Sequence, residues 1–566
     1  MRLLWTICVL AHAVSALPQS PTATAASALP TIKLPYGTWR ATSYNATTQV
    51  YVFKNIRFAA PPVGSLRFAK PAPPANNKTL QTGEYGPACP QVLPAGLLSG
   101  SVPGGALPPG IDPAQLVSGA KTFGEDCLFL DVYVPKKALD PYQWNGLPIV
   151  MWIYGGAYNF GSKEGGYDAT PLIKMSGGNF IYVAGNYRLN AFGFLAGSTM
   201  EKEATPNAGL WDQYAVLEWI QSYGELFGGD TDDVSLWGES AGSGSIMHQL
   251  TAFGGKEKPL FHRALMQSSA FDMQIDRKGL LETQFQDVAT RAGCGSNSTD
   301  VIACLRSVDW TVLQNATTGY VAALPGNKPG LGPAADGNFV RQHPALEIAA
   351  GKTIEGVETI INSHVINEPQ IFLPANSTED TFQAVVNLYW GTSQKAKAAI
   401  EAQYSLSKYG GDQAARIRAL YQFSVFTCNS RFISAGFKTY NLQYARGTGL
   451  HGSDVSADFW DPNSPTAFLS LLSDPTFGSF ATSFQSYLVS HALTGDPNEK
   501  RDNGTIQWPL VKYGPIFTPV LNASDTGFAL ISDQENKAVD CDFWKDLAAG
   551  MTDDLGECSL LMTTIL

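Results

Sequence analysis

Short apolar runs alternate with helical patterns through the middle of the chain. The runs that read as buried strands are Leu147–Tyr154, Asn179–Val183, Val234–Trp237, Ala264–Gln267 and Glu358–Ile361. Between them, Leu210–Tyr223 has the apolar spacing of a helix. Buried strands that alternate with helices are typical of a parallel sheet covered on both faces. Because we find no linker and no internal repeat, the pattern predicts one large α/β domain.

The N-terminus has a basic residue, an apolar run over Leu3–Val14 and the small residues Ser15 and Ala16. This order is typical of a secretory signal peptide, although a buried N-terminal helix would be the alternative. We expect a signal peptide at 1–16, a flexible leader at 17–31 and the folded domain at 32–566. No other run looks long enough to span a bilayer. These features predict a soluble protein of the secretory lumen, cell wall, vacuole or extracellular space.

Composition narrows the function classes. The 566 residues carry a net charge of −11, and only 15% of them are charged while 44% are hydrophobic. This balance excludes intrinsic disorder. Negative charge without a Lys/Arg block argues against a nucleic-acid partner. In a secreted chain, Asn-X-Ser/Thr motifs are candidate glycosylation sites on the surface, here at Asn45, Asn77, Asn297, Asn315, Asn376, Asn503 and Asn522.

The motif Gly-x-Ser-x-Gly occurs at Gly238–Gly242, between a strand-like run and Ser243–His248, which can start a helix. In a strand–turn–helix setting, this motif presents its serine at the end of a sheet and at a helix N-terminus. The sequence therefore predicts Ser240 as a nucleophile. The alternative is a surface turn.

A serine nucleophile needs a base and an acid that orients the base. His451, in the glycine-flanked loop 447–454, is the histidine best able to reach the serine. The other candidates are His248, His262, His343, His364 and His491. The acid is expected between Ser240 and His451 in the chain. Composition leaves Asp336, Glu355, Glu358 and Glu368 open.

Backbone N–H groups that could bind an oxyanion follow a predicted strand. Paired glycines lie within Tyr154–Tyr158, directly after that strand. The N–H of Ala241, after the candidate nucleophile, would add a donor. The alternative is a glycine turn used only for packing.

Taken together, these residues resemble the type-B carboxylesterase/lipase family, the cholinesterase-like branch of the α/β-hydrolases. Its fungal secreted esterases and lipases look most similar. The resemblance extends over nearly the whole mature chain, through motifs at 56–68, 125–133, 152–156, 186–189, 227–230, 238–242, 336–337 and 495–498.

The resemblance implies a single α/β-hydrolase domain with a large, mixed, mostly parallel sheet flanked by helices. It implies a triad of Ser240, Glu368 and His451, with no metal and no organic cofactor. The oxyanion donors would be the N–H groups of Gly156, Ala157 and Ala241. Ser268 matches a position that helps to hold the acid, and we place Glu239 beside the site as well.

The resemblance also implies the disulfides Cys89–Cys127, Cys294–Cys304 and Cys428–Cys541. Cys558 is then left over and could join two copies into a homodimer. A Cys541–Cys558 bond with Cys428 free is the alternative.

Three departures from the family pattern affect these expectations. Ala157 stands where many members have a third glycine, and Pro369 stands where glycine is usual. Pro369 restricts Glu368 towards extended geometry. The loop between Cys89 and Cys127 contains no Trp to stack on a quaternary ammonium group, so choline esters are not expected substrates.

The resulting hypothesis is a secreted serine carboxylic-ester hydrolase that works through an acyl-enzyme on a small-molecule or lipid ester. One alternative is an acyltransferase or lactone-rearranging enzyme that uses the same triad. Another is a non-catalytic cholinesterase-like binding protein.

Overall fold

The structure is a computed structural model. It describes residues 29–94, 113–142, 145–272, 274–295, 300–324, 330–373, 377–389, 393–464, 467, 471 and 474–554. Several sequence predictions lie outside these residues: the signal peptide at 1–16, residues 17–28 of the leader, Asn297, Asn376 and Cys558.

Fourteen strands form two sheets in the described residues. The strands are β1 Thr31–Leu34, β2 Gly37–Arg40, β3 Ser43–Asn45, β4 Val50–Arg57, β5 Leu80–Gln81, β6 Phe129–Pro135, β7 Leu147–Ile153, β8 Ile181–Gly185, β9 Gly229–Glu239, β10 Arg263–Gln267, β11 Thr359–Val365, β12 Thr439–Ala445, β13 Phe517–Ser524 and β14 Gly527–Asp533. The small sheet has the order β1-β2-β5, and the large sheet has the order β14-β13-β12-β11-β10-β9-β7-β8-β6-β4-β3.

Helices fill most of the connections between the strands. A π-helical segment, Gln422–Thr427, joins the helix that ends at Tyr421 to the helix that begins at Cys428. The α-helices are α1 Pro113–Ser118, α2 Thr170–Met175, α3 Asn190–Phe194, α4 Ser198–Glu203, α5 Ala208–Tyr223, α6 Ala241–Leu250, α7 Leu280–Arg291, α8 Val301–Ser307, α9 Trp310–Ala322, α10 Pro344–Ala349, α11 Glu379–Tyr389, α12 Gln394–Gln403, α13 Gln413–Tyr421, α14 Cys428–Gly436, α15 Val455–Asp458, α16 Phe477–Thr494 and α17 Ala538–Asp554.

The large sheet is mixed but mainly parallel, as predicted. Its strands from β8 to β13 pair in parallel, whereas β3, β4, β6 and β14 pair antiparallel at the two edges. Every residue of β8 and β10 is buried, which is why these strands read as continuous apolar runs. Parallel pairing brings the carboxyl ends of β9 to β12 to one edge of the sheet. The loops that follow these strands can therefore meet.

Three disulfides link described cysteines: Cys89–Cys127, Cys294–Cys304 and Cys428–Cys541. These are the pairs that the resemblance implies, and each lies within one chain. Nothing in the described residues therefore supports a homodimer through a cysteine. Among the same residues, no helix combines the length and the apolar character needed to cross a bilayer.

Candidate active site

Ser240 occupies a sharp turn between β9 and α6. Its backbone has φ 57° and ψ −126°, a conformation that L-residues rarely adopt. Gly242 allows the turn to lie against strand β7, since a Cβ at this position would stand 2.0 Å from the carbonyl oxygen of Ile153. The helix begins at Ala241, two residues earlier than the sequence predicted. The turn thus places Ser240 at the N-terminus of α6.

The structure brings together the three residues that the resemblance implies as a triad. Nε2 of His451 lies 2.7 Å from Oγ of Ser240, and Nδ1 lies 2.6 Å from Oε2 of Glu368. The other oxygen of Glu368 accepts a hydrogen bond from the N–H of Val365 at 2.9 Å. Phe426 packs against the imidazole with ring centroids 4.8 Å apart. These distances allow a proton to pass from Ser240 to His451.

The sheet positions Glu368 and His451 on neighbouring loops. Glu368 follows β11 and His451 follows β12, its parallel neighbour. The N–H of Asn367 donates to the carbonyl of Gly449 at 2.9 Å, which joins the two loops directly. The carboxylate and the imidazole are therefore fixed relative to each other by backbone contacts as well as by their own hydrogen bond.

The other candidate bases have different surroundings. Burial lowers the pKa of His248 to about 3, with a smaller contribution from His343. His343 caps α10, where its Nδ1 accepts from the N–H of Ala345 at 3.2 Å. His364 lies 3.0 Å from Asp533, and His491 lies 3.1 Å from Thr359. His262 is partly buried and directly precedes β10.

The remaining candidate acids are also engaged or exposed away from His451. Asp336 accepts a hydrogen bond from the amide of Asn207 at 2.8 Å. Glu358 pairs with Arg263 at 3.0 Å, and Glu355 is exposed.

The glycine turn after β7 has an unusual backbone. Gly156 has φ 113°, and a Cβ at this position would stand 2.0 Å from the carbonyl oxygen of Phe160. Ala157 adopts φ 53°, so alanine takes the left-handed conformation at a cost of about 1–2 kcal/mol. In the part of the chain that the structure describes, the N–H groups of Gly156 and Ala157 donate to no other group of the protein. Two donors thus remain available close to Ser240.

Ser268 and Pro369 were both expected to affect how Glu368 is held. Oγ of Ser268 is buried and makes no hydrogen bond, to Glu368 or to any other group, within the described residues. The backbone N–H of Ser268 donates instead to the carbonyl of Ser363 at 2.9 Å. Pro369, with φ −85°, starts the short 3-10 helix Gln370–Phe372, which carries Phe372 to within 5.5 Å of the His451 ring.

A group of buried acids behind His451 was not predicted beyond Glu239. Oε1 of Glu239 lies 3.4 Å from Nε2 of His451. Asp454 and Asp458 are fully buried, and the amide of Gln267 donates to both at 3.2 Å. Only the close spacing of His451, Asp454 and Asp458 along the sequence could have indicated this group of acids, because these residues lie in one turn and the short helix α15.

Burial and mutual repulsion shift the pKa values in this group. Burial raises the pKa of Glu239, and the neighbouring His451 opposes this shift. Burial also raises the pKa values of Asp454 and Asp458. For His451, burial lowers the pKa, but Glu239, Glu368 and Asp454 outweigh it and raise the pKa above that of an exposed imidazole. The three carboxylates therefore stabilise the imidazolium form of His451.

A narrow cavity of about 40 Å³ opens beside Ser240. Most of its wall is apolar, which suits the hydrocarbon part of an ester. The lining residues are Ala157, Tyr158, Ser240, Ala270, Phe271, Asp272, Leu331, Gly332, Phe372, Tyr421, Val425 and Phe426.

The chain is similar to known esterases and lipases over most of its length. It is 36% identical to a protein named "Secreted lipase" from Arthroderma benhamiae, with 93% of this chain and 94% of that protein aligned. It is 33% identical to "Carboxylesterase patB" from Aspergillus clavatus, over 93% of this chain and 97% of the relative.

Among solved structures, EstA of Aspergillus niger superposes with a TM-score of 0.74. It has 26% identity and covers 93% of this chain and 99% of its own. Its fold agrees with the α/β-hydrolase architecture described above. A model of the carboxylesterase family matches residues 28–544, a range that includes Ser240, Glu368 and His451. With this match across the chain and these relatives, the protein belongs to the carboxylesterase family and is a carboxylic ester hydrolase.

Proposed function

We propose that the protein is a secreted serine esterase whose catalytic triad is Ser240, His451 and Glu368, and that it works through an acyl-enzyme. The observation that carries this proposal is the continuous chain of short contacts, 2.7 Å from Ser240 to His451 and 2.6 Å from His451 to Glu368. The apolar cavity beside Ser240 would receive part of the ester.

In the proposed reaction, Oγ of Ser240 attacks the ester carbonyl carbon while Nε2 of His451 takes the hydroxyl proton. Glu368 stabilises the resulting imidazolium. The N–H groups of Gly156, Ala157 and Ala241 would hold the oxyanion, and each such donor is typically worth about 10²–10³ in kcat. His451 then gives its proton to the leaving alcohol. It next takes a proton from water as the water oxygen attacks the acyl carbon. The bond to Oγ then breaks, His451 returns that proton to Oγ of Ser240, and the carboxylic acid is released.

Secretion is supported by independent features. Three disulfides, such as Cys89–Cys127, are typical of proteins that fold in oxidising compartments. The relative from Arthroderma benhamiae is named a secreted lipase.

We propose glycans at the four motifs whose asparagine is exposed, Asn45, Asn77, Asn315 and Asn503. Asn522 lies within β13 with its amide oxygen buried, which does not suit a glycan.

Phenylmethanesulfonyl fluoride, which sulfonylates activated serines, is expected to inactivate the enzyme with one label per chain. Peptide mass spectrometry should find the label on Ser240. Ser243 and Ser268 lie nearby and serve as internal controls, because no imidazole hydrogen bonds to either of them within the described residues. Inactivation with the label on another residue, or retained activity after full labelling of Ser240, would contradict the proposal.

The Glu239→Gln variant is expected to move the acidic limb of the kcat/KM profile to lower pH. His451 acts as a base only when neutral, so activity falls below its pKa. The charge of Glu239 raises that pKa, and removing one neighbouring charge typically shifts a pKa by about one unit. The profile should therefore move down by about one pH unit. Glu347→Gln, which changes a buried carboxylate on α10, is the control and should leave the pH profile in place. An acidic limb that does not move in Glu239→Gln would contradict the inference that Glu239 raises the pKa of His451.

A further inference from the structure

The turn that carries two of the proposed oxyanion donors has a costly backbone conformation. Gly156 has φ 113°, which glycine adopts freely, but Ala157 and Tyr158 follow with φ 53° and φ 62°. Two successive non-glycine residues in the left-handed region persist only where the surrounding structure holds them there. Ala157 and Tyr158 also line the cavity beside Ser240. The contacts that hold this turn therefore affect the shape of the site.

Asn159 binds both of the peptide units that flank Ala157. Its backbone N–H donates to the carbonyl of Gly156 at 2.9 Å, and the N–H of Phe160 donates to the same carbonyl at 3.0 Å. The side-chain amide of Asn159 donates to the carbonyl of Ala157 at 2.7 Å. Because the orientations of these two peptide units define φ and ψ of Ala157, Asn159 holds the backbone of Ala157 from both sides.

The first of these contacts also sets the direction of a proposed oxyanion donor. A trans peptide unit is planar, so its N–H points opposite to its C=O. The carbonyl of Gly156 is held towards Asn159 and Phe160, and the N–H of Ala157 therefore points away from them. The second contact opposes rotation of Ala157 out of the left-handed region. Such a rotation would change the direction of this N–H.

Asn159 can hold the turn because it is itself fixed by other segments. It is fully buried, and its carbonyl accepts a hydrogen bond from the N–H of Val92 at 2.9 Å. Its side-chain amide makes a second hydrogen bond, to the carbonyl of Leu331 at 3.0 Å. Leu331 also lines the cavity. The side-chain amide therefore joins the turn to a second segment of the cavity wall.

We propose that Asn159 is a positioning residue for ester hydrolysis: it holds the left-handed turn at Ala157 so that the N–H of Ala157 faces the oxyanion. This inference rests on the proposed function. In this role Asn159 does not touch the reacting atoms and acts through the backbone of Ala157.

Asn159→Ala is expected to lower kcat about 10²-fold, the size of loss that a displacement of about 1 Å in a catalytic group causes. Oxyanion donors act mainly in the transition state, so KM should stay within a few fold of the wild type. An aliphatic trifluoromethyl ketone should lose affinity by about the same factor. When Oγ of Ser240 adds to its carbonyl carbon and His451 takes the hydroxyl proton, the ketone oxygen becomes an oxyanion that needs the same donors.

The test measures kcat and KM with p-nitrophenyl butyrate, the inhibition constant of the trifluoromethyl ketone and the melting temperature. It compares the wild type with Asn159→Ala, Asn159→Leu and the control Asn362→Ala. Leucine has nearly the shape of asparagine but no donor, so Asn159→Leu should show the same losses. It leaves no cavity and removes Oδ1 of Asn159, which is buried without a hydrogen-bond partner within the described residues. This variant keeps the test decisive where Asn159→Ala does not fold.

Asn362→Ala is a matched control on β11. Asn362 is also fully buried, and its side-chain amide likewise makes two hydrogen bonds, to the carbonyl of Ser430 at 2.7 Å and to Oγ of Ser434 at 2.9 Å. Both partners lie on α14 and not on the oxyanion turn. The substitution should therefore lower the melting temperature and leave kcat and the affinity for the trifluoromethyl ketone within a few fold of the wild type.

A matched loss of kcat and of ketone affinity in the Asn159 variants, with neither loss in Asn362→Ala, supports the proposal. Unchanged kcat in a folded Asn159 variant overturns it, and so does a loss confined to KM or an equal loss in Asn362→Ala. A lower kcat with unchanged ketone affinity also overturns it, because Asn159 then does not act through the oxyanion. Failure of the proposed function is distinguishable, since the sulfonyl label would then appear on a residue other than Ser240 in the wild type.

Discussion

The Ser240→Ala variant is expected to lose about 10⁶-fold in kcat for ester hydrolysis, the size of loss seen when a triad serine is removed. Without Oγ there is no atom 2.7 Å from His451 to form an acyl-enzyme. The imidazole, the oxyanion donors and the cavity remain, so substrate binding should persist. Stopped-flow and steady-state assays with p-nitrophenyl esters would show no burst and only the residual rate, about 10³–10⁴-fold above the uncatalysed reaction, that oxyanion donors and substrate binding supply.

Ser243→Ala is the control for this experiment. Ser243 is buried in the first turn of α6, three residues after Ser240, and its hydroxyl bonds to that of Ser269. Its loss removes one buried hydrogen bond, worth about 1 kcal/mol of stability. Turnover in Ser243→Ala should stay within a few fold of the wild type. Normal ester cleavage by folded Ser240→Ala would refute the triad.

The Glu368→Gln variant is expected to lose about 10⁴-fold in kcat, as when the acid of a serine triad becomes an amide. Glutamine fills the same space and can still bond to the N–H of Val365. However, a neutral amide cannot stabilise the imidazolium of His451, and its NH₂ group favours the wrong tautomer of the ring. Because Ser240 remains, slow sulfonylation of the serine should still be detectable.

Glu358→Gln provides the comparison, because Glu358 was an equal candidate for the acid by composition. Its carboxylate pairs with Arg263 and is 56% exposed. Partly exposed pairs contribute little to stability, so kcat and melting temperature should hardly change. An equally large loss of kcat in Glu358→Gln would mean that the effect is structural and not specific to the triad.

The central strands were predictable because they are buried on both faces. The runs predicted as strands at 147–154, 234–237 and 264–267 all overlap observed strands. Strand β12 was missed since its sequence contains Asn441 and Gln443 at buried positions. The amide of Asn441 is satisfied by Ser434 on α14, and such a partner is invisible in a local pattern.

The residues of the candidate site also differ in how far the local sequence could predict them. Ser240 is marked by its own neighbours, because a sharp turn between a strand and a helix needs small flanking residues. Glu368 could not be chosen from composition, since its role depends on the meeting of two loops that Asn367 and Gly449 join. The approach of Asp533 to His364, 169 residues apart, was equally out of reach of periodicity.

The separation of 211 residues between Ser240 and His451 also affects synthesis of the enzyme. A ribosome adds about 5–20 residues per second, so the serine emerges about 10–40 s before its base. Under the proposed mechanism, the nascent chain has no proton acceptor for the Ser240 hydroxyl during that interval. We therefore expect ester hydrolysis only after β12 and the loop that carries His451 have been synthesised.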